Sequence, residues 1–145
     1  MVWFQIGTWN GTTGFTVKDI LLENALRSGL SAITGGKEFS LIMLVPEEHL
    51  TLQPVWNLII SAPWLDAIIG GTEETAFTGS IMEVLSDQNK KISRITVLES
   101  DDDLVQLINS VFTVVEGGTA EIGDIRIKGV DIRKAIILQS EQGVH

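Results

Sequence analysis

The chain has no cysteine. Disulfides and thiolate metal sites are therefore excluded, and the sequence carries no mark of redox compartment. Histidine is nearly absent: His49 and His145 are the only two, so Ser–His–Asp chemistry has only His49 to draw on. No G-x-S-x-G or metalloprotease motif occurs. No segment reaches the roughly 18 apolar residues a membrane span needs. The opening MVWFQIGTW has neither a basic region nor a long apolar run, so it does not read as a signal peptide. No stretch rich in Pro, Gly or Ser separates two halves, so one domain is expected over residues 1–145, with 140–145 as a polar tail. Between Lys37 and Lys90 there is no Lys or Arg at all.

A length of 145 residues suits one domain with a real core. A hydrophobic fraction of 44% and a mean hydropathy of +0.26 exclude disorder. Charged residues make up 20%, below the usual quarter or so, which leaves apolar surface for a partner. The net charge of −9 argues against nucleic acid, whose phosphates need a basic footprint. An acidic chain fits a solvated cytoplasmic protein, or one that meets a basic partner.

Val2–Ile6 reads as a strand, followed by a Gly/Thr/Asn loop to Phe15. A helix over about 16–34 begins at Thr16, with Asp19 three residues on as the second half of a capping box, and ends at Gly35-Gly36. Phe39–Val45 is almost wholly apolar, the pattern of a strand covered on both faces, and Pro46 stops it. Residues 50–69 are ambiguous. Asn57–Ala62 suits a buried strand or part of a helix, and Pro63 suits the start of a short helix. Thr72–Gly79 reads as a loop or edge strand. Ser80–Leu85 is expected to form a hairpin with Ile92–Leu98 across Asp87–Lys90, although Ser80 and Glu83 also match a capping box.

The second main helix spans about 101–116, with Ser100 as cap and Asp101, Asp102 and Asp103 in the first turn, where the helix dipole favours negative charge. Leu104, Val105, Ile108, Val111, Phe112 and Val115 form its apolar stripe, and Gly117-Gly118 stops it. Ala120–Lys128 alternates as a strand. Gly129–Asp131 is a turn or bulge, and Arg133–Gln139 is a further strand. The fold class is α+β: a mixed sheet with two main amphipathic helices packed on it. The succession of strand, capped helix, Gly-Gly and strand occurs in residues 2–45 and 92–128 without any side-chain repeat.

Gly7, Gly11 and Gly14 lie between a strand and a capped helix, where a phosphate-binding loop sits. Their spacing matches neither common fingerprint, and no Lys follows. A turn-rich surface loop is the commoner reading, with a small ligand or nucleotide as the alternative. Glu47-Glu48-His49 groups two carboxylates and an imidazole, but consecutive residues diverge. Asp101–Asp103 are explained by capping. No metal site and no cofactor is expected.

Charge is segregated. Glu47, Glu48, Glu73 and Glu74 fall in the stretch without cations, together with Trp56 and Trp64. The cations collect at Lys90, Lys91 and Arg94 and at Arg126, Lys128, Arg133 and Lys134. The leading expectation is a non-enzymatic protein–protein interaction protein, a self-associating subunit or member of a complex. Its interface residues are Trp56, Trp64, Arg94, Arg126 and Arg133. The alternative is an inhibitor or immunity-type protein. It would mask a basic site with one patch made of Glu47, Glu48, Glu73, Glu74 and Asp101–Asp103.

Overall fold

The computed structural model describes residues 3–5, 19–47, 55–115, 118–127 and 130–141. The chain runs β1 (Trp3–Gln5), α1 (Ile20–Thr34), β2 (Leu41–Glu47), β3 (Val55–Ser61), a 3-10 turn (Pro63–Ile68), α2 (Thr72–Leu85), a second 3-10 turn (Ser86–Lys91), β4 (Ile92–Val97), α3 (Asp103–Val111), β5 (Ala120–Ile127) and β6 (Val130–Ser140). The six strands form one sheet in the order β1-β5-β6-β2-β3-β4. β3 and β4 are parallel and every other pair is antiparallel. This is the mixed α+β architecture expected from the sequence.

Alternation along β2 explains why its sequence is apolar throughout. Ile42 and Leu44 join one core with Leu22, Leu26 and Leu30 of α1, Ile81 and Leu85 of α2, and Trp56, Leu58 and Ile60 of β3. Leu41 and Met43 join a second core with Ile59, Val105 and Ile108 of α3, Phe112, Val114 and Ile137. Successive side chains point to opposite faces, so α1 and α2 cover one face of the sheet and α3 the other. Each fully buried Leu or Ile contributes about 1.5–3 kcal/mol. Pro46 does not end β2: it pairs with Trp56. Pairing of β2 with β6 runs only from Leu41 to Leu44, so at Pro46 the strand has one neighbour, a position where a missing N–H is tolerated.

α1 starts later than the sequence suggested. Its cap is Asp19, whose Oδ1 accepts from Leu22 N at 3.0 Å; Thr16 lies outside the described residues. Its end is as expected: Gly35 is left-handed (φ 69°), and Gly36 N also reaches Ser31 O at 3.0 Å.

The largest correction is α2. Thr72–Leu85 is one helix, not a loop followed by a hairpin strand. Phe77, Ile81 and Leu85 recur every fourth residue and turn inward, the outer two of the set flanking a buried Ile81. Gly79 and the Ser80–Glu83 box obscured that period. Ser80 is mid-helix, its hydroxyl donating to Ala76 O at 3.0 Å. β4 pairs in parallel with β3, and a parallel pair requires a crossover. α2 is that crossover. Asn57–Ala62 resolves as strand, with the short Pro63 helix after it.

α3 is shorter than the expected 101–116. Asp102 caps it, its Oδ1 accepting from Leu104 N at 2.9 Å. It ends at Val111 because Val114 bridges Ser140 instead, with N–O distances of 2.9 Å in both directions. The β-branched run Thr113-Val114-Val115 favours that extended form. Ser140, placed in the polar tail by the sequence, is wholly buried and paired in β6. Replacing Asp102 with Ala is expected to cost about 1 kcal/mol in urea melts, whereas Asp101→Ala, exposed and outside the cap, leaves the midpoint unchanged.

Candidate interaction surface

β4 is the outermost strand on its side of the sheet. On its inner side, Leu98 N donates to Ile60 O at 3.0 Å. Backbone groups alternate in direction along a strand, so Arg94 and Thr96 also point to β3. Ile95 and Val97 turn their N–H and C=O to the outer edge. Their side chains pack against the α1/α2 core. The pairing jumps from Trp56↔Ile92 to Asn57↔Arg94, so Ser93 is an extra, bulged residue. Bulges and flanking cations are the usual protection of an open edge.

The two ends of β4 differ in charge. At its start, Arg94 Nε lies 3.0 Å from Glu47 Oε1, and Ser93 Oγ lies 3.0 Å from the same oxygen and 3.2 Å from Trp56 O. Lys91 Nζ meets Asp19 Oδ2 at 2.8 Å, so one Asp both caps α1 and anchors the turn before β4. Lys90 is exposed and has no ion pair among the described residues. Lys91 and Arg94 are thus matched by carboxylates here, which leaves Lys90 in excess.

The other end is acidic. Asp66 of the first 3-10 turn accepts from Ser100 N at 2.8 Å and from Ser100 Oγ. Ser100 therefore fastens the turn after β4 rather than capping α3. Glu99, Asp101 and Asp103 are exposed beside it. On the same end, Glu73 is exposed in the first turn of α2 and Glu74 Oε1 accepts from Gly70 N at 3.0 Å. Glu47 belongs to the opposite end, separated by the six residues of β4, on the order of 20 Å. The expected single acidic patch is thus divided. Glu48 and His49 lie outside the described residues, as do Gly7, Gly11 and Gly14.

Trp56 offers no surface anchor, and Trp64 is engaged within the chain on part of its surface. Trp56 is 0% exposed. Trp64 is half-buried: its Nε1 donates to Glu38 O at 2.8 Å, and its ring meets Phe39 and Phe77 edge-on at 5.2 and 5.8 Å. Lys37 Nζ sits 5.1 Å from the ring centroid, a cation–π contact. Arg126 lies in β5 opposite Asp131 of β6, and Arg133 lies in β6 between the Ile125↔Ile132 and Gly123↔Lys134 pairs. β2 and β3 stand between β6 and β4, so the two cation groups do not share an edge.

Among the described residues no group of His, Asp and Glu is arranged to hold a metal ion. A cavity of about 60 Å³ is lined by Arg27, Ser31, Lys37, Phe39 and Gln139, well below the roughly 300 Å³ of a small-molecule site. Arg27 is committed to Gly118 O and Thr119 Oγ1.

No family model, curated protein or solved structure matches this chain.

The sequence missed the edge position of β4 and the Asp66–Ser100 link. Two signals bear on the first: Lys90 and Lys91 precede a short strand that itself carries Arg94, as edge strands carry cations, and Phe77–Ile81–Leu85 marks a crossover helix. The second carries no local signal, since its partners are 34 residues apart.

Proposed function

We propose that this chain is a non-enzymatic protein–protein interaction protein, a self-associating or assembly subunit that docks through the outer edge of β4. The observation that carries this reading is the outer backbone edge at Ile95 and Val97, which no strand pairs among the described residues. Addition of a strand to such an edge is a recurrent recognition mode: main-chain hydrogen bonds give affinity and alternate side chains give specificity. Arg94 is the interface residue retained from the sequence reading, since it is 67% exposed beside that edge.

Light scattering across protein concentration tests the proposal. The mass is expected to rise above the 15.8 kDa of one chain. A single-chain mass at every concentration, with no partner retained from lysate, removes it. Two copies carrying −9 each repel, so self-association is expected to strengthen as salt screens them.

A second reading, an inhibitor of a basic partner, is favoured by the gathering of Asp66, Glu73, Glu99 and Asp101 at one end. It requires the opposite response: a complex that weakens steeply with salt.

A further inference from the structure

We infer that the occupant of the β4 edge is a second copy of this chain, paired antiparallel about a two-fold axis at Thr96. This rests on the reading of β4 as the docking strand. It is carried by the order of side chains and charges along the strand.

A sheet continued across two copies can run parallel or antiparallel. Parallel pairing sets the two acidic ends, each with Glu99, Asp101 and Asp102, side by side. Antiparallel pairing sends them to opposite extremes and brings each toward Lys90 and Lys91 of the other copy. Like charges directly opposed destabilise a strand pair, and opposite charges stabilise it.

The register follows from which groups face outward. Hydrogen-bonded pairs must join residues whose N–H and C=O both point out, here Ile95 and Val97. Opposing Ile95 of one copy to Val97 of the other forms two such pairs and leaves Thr96 opposite Thr96 on the axis. On the core side the register matches Ile95 with Val97, apolar with apolar. On the α3 side it sets Arg94 opposite Leu98, which packs on the α3 core. Beyond the strand ends, Lys91 comes toward Asp101 and Lys90 toward Asp102. A register two residues further on would oppose Ile95 to Glu99 on the core side, where the first register opposes only apolar side chains. The contact is isologous, as two-fold symmetry requires, and it joins two six-stranded sheets edge to edge.

The absence of cysteine makes the geometry directly testable. In a non-hydrogen-bonded antiparallel pair the opposed Cα atoms are about 4.5 Å apart, within disulfide reach. Thr96→Cys is therefore expected to oxidise to a disulfide dimer at least tenfold faster than Ser110→Cys, an exposed control on α3. Lys90→Glu and Asp101→Lys provide a second measurement that does not disturb the strand. Each alone is expected to weaken self-association by about two- to fivefold, as loss of an exposed ion pair does, and the double variant to weaken it further, because Glu at 90 then faces Asp102 and Lys at 101 faces Lys91 of the other copy.

Net charge alone gives a different result, because Asp101→Lys makes the chain less negative and would tighten the dimer. A dimer by light scattering in which Thr96→Cys cross-links no faster than Ser110→Cys overturns the antiparallel arrangement and leaves self-association standing. So does tightening by Asp101→Lys. A chain of single mass at all concentrations overturns both.

Discussion

Trp56→Ala is expected to lower the stability of the isolated chain by about 3–5 kcal/mol, the usual cost of emptying a buried aromatic site. For a domain of this size that is a fall in melting temperature on the order of 10–15 °C. The indole is among the largest wholly buried side chains, held between β3 and the α1/α2 layer with Leu58, Ile60 and Ile92. A Trp reserved for a partner would give the opposite result: weaker association and an unchanged melt. Trp56→Phe separates the two contributions of the ring. The indole Nε1–H is buried and has no acceptor among the described residues, which costs about 1–3 kcal/mol. Phe removes that donor along with some volume, so its net loss is expected to be under half that of Ala. Calorimetry on the three proteins checks the order.

Gly29→Leu is expected to be nearly as damaging, at about 3 kcal/mol, because α1 and α2 touch at this residue. A Cβ built on Gly29 would stand 2.7 Å from Val84 Cγ1, closer than non-bonded carbons approach. Val84 is β-branched and in a helix has one strongly preferred rotamer, so relief comes mainly from moving the helices apart. Two effects compete in the smaller change Gly29→Ala. Helix propensity gains up to about 1 kcal/mol, and overpacking costs about 1–3 kcal/mol, so a modest net loss is expected. The assignment to this contact is checked by Val84→Ala, which takes away the opposing methyls. In the Val84→Ala background, Gly29→Ala is expected to become stabilising, because only the propensity gain remains. Chemical denaturation of the four proteins gives the coupling. Equal effects of Gly29→Ala in both backgrounds would show that the helices do not meet at this point.

The elements that were legible share one property: their causes lie within a few residues. β2 is apolar on both faces because helices cover both, and its run of Leu41 to Val45 announced that. The stop of α1 was legible because Gly35 must adopt a positive φ of 69°, a conformation glycine takes without strain. The stripe Leu104–Val105–Ile108 and the acidic first turn of α3 were legible for the same local reason. Even here the boundaries shifted. Asp19 displaced Thr16 as a cap, Asp102 displaced Ser100, and the bridge from Val114 to Ser140 shortened α3.

What misled the sequence reading was competition from distant partners. Ser100 is a good cap by type, but Asp66 holds both its N–H and its hydroxyl. Trp56 has the composition of an interface anchor, but alternation in β3 turns it inward beneath two helices. Residues 72–85 contained a helical period of four, but a glycine, a serine and a nearby turn made a hairpin equally consistent with local propensity. Burial of Ile81 and Leu85 against α1 decided it.

The sequence by itself determined the class of this protein: a mixed sheet with capped amphipathic helices, an acidic surface, and cations confined to a few stretches. Propensity, capping and periodicity are short-range, so they are written in adjacent residues. Only the tertiary structure decided which strand lies at the edge. The choice of β3 as the parallel neighbour of β4 joins residues about 36 positions apart through a helix, and nothing in Ile92–Val97 specifies that neighbour. Once the pairing is made, the backbone groups of Ile95 and Val97 turn to the outer edge of β4, and residues distant in sequence, Asp66 and Ser100 among them, meet at its end.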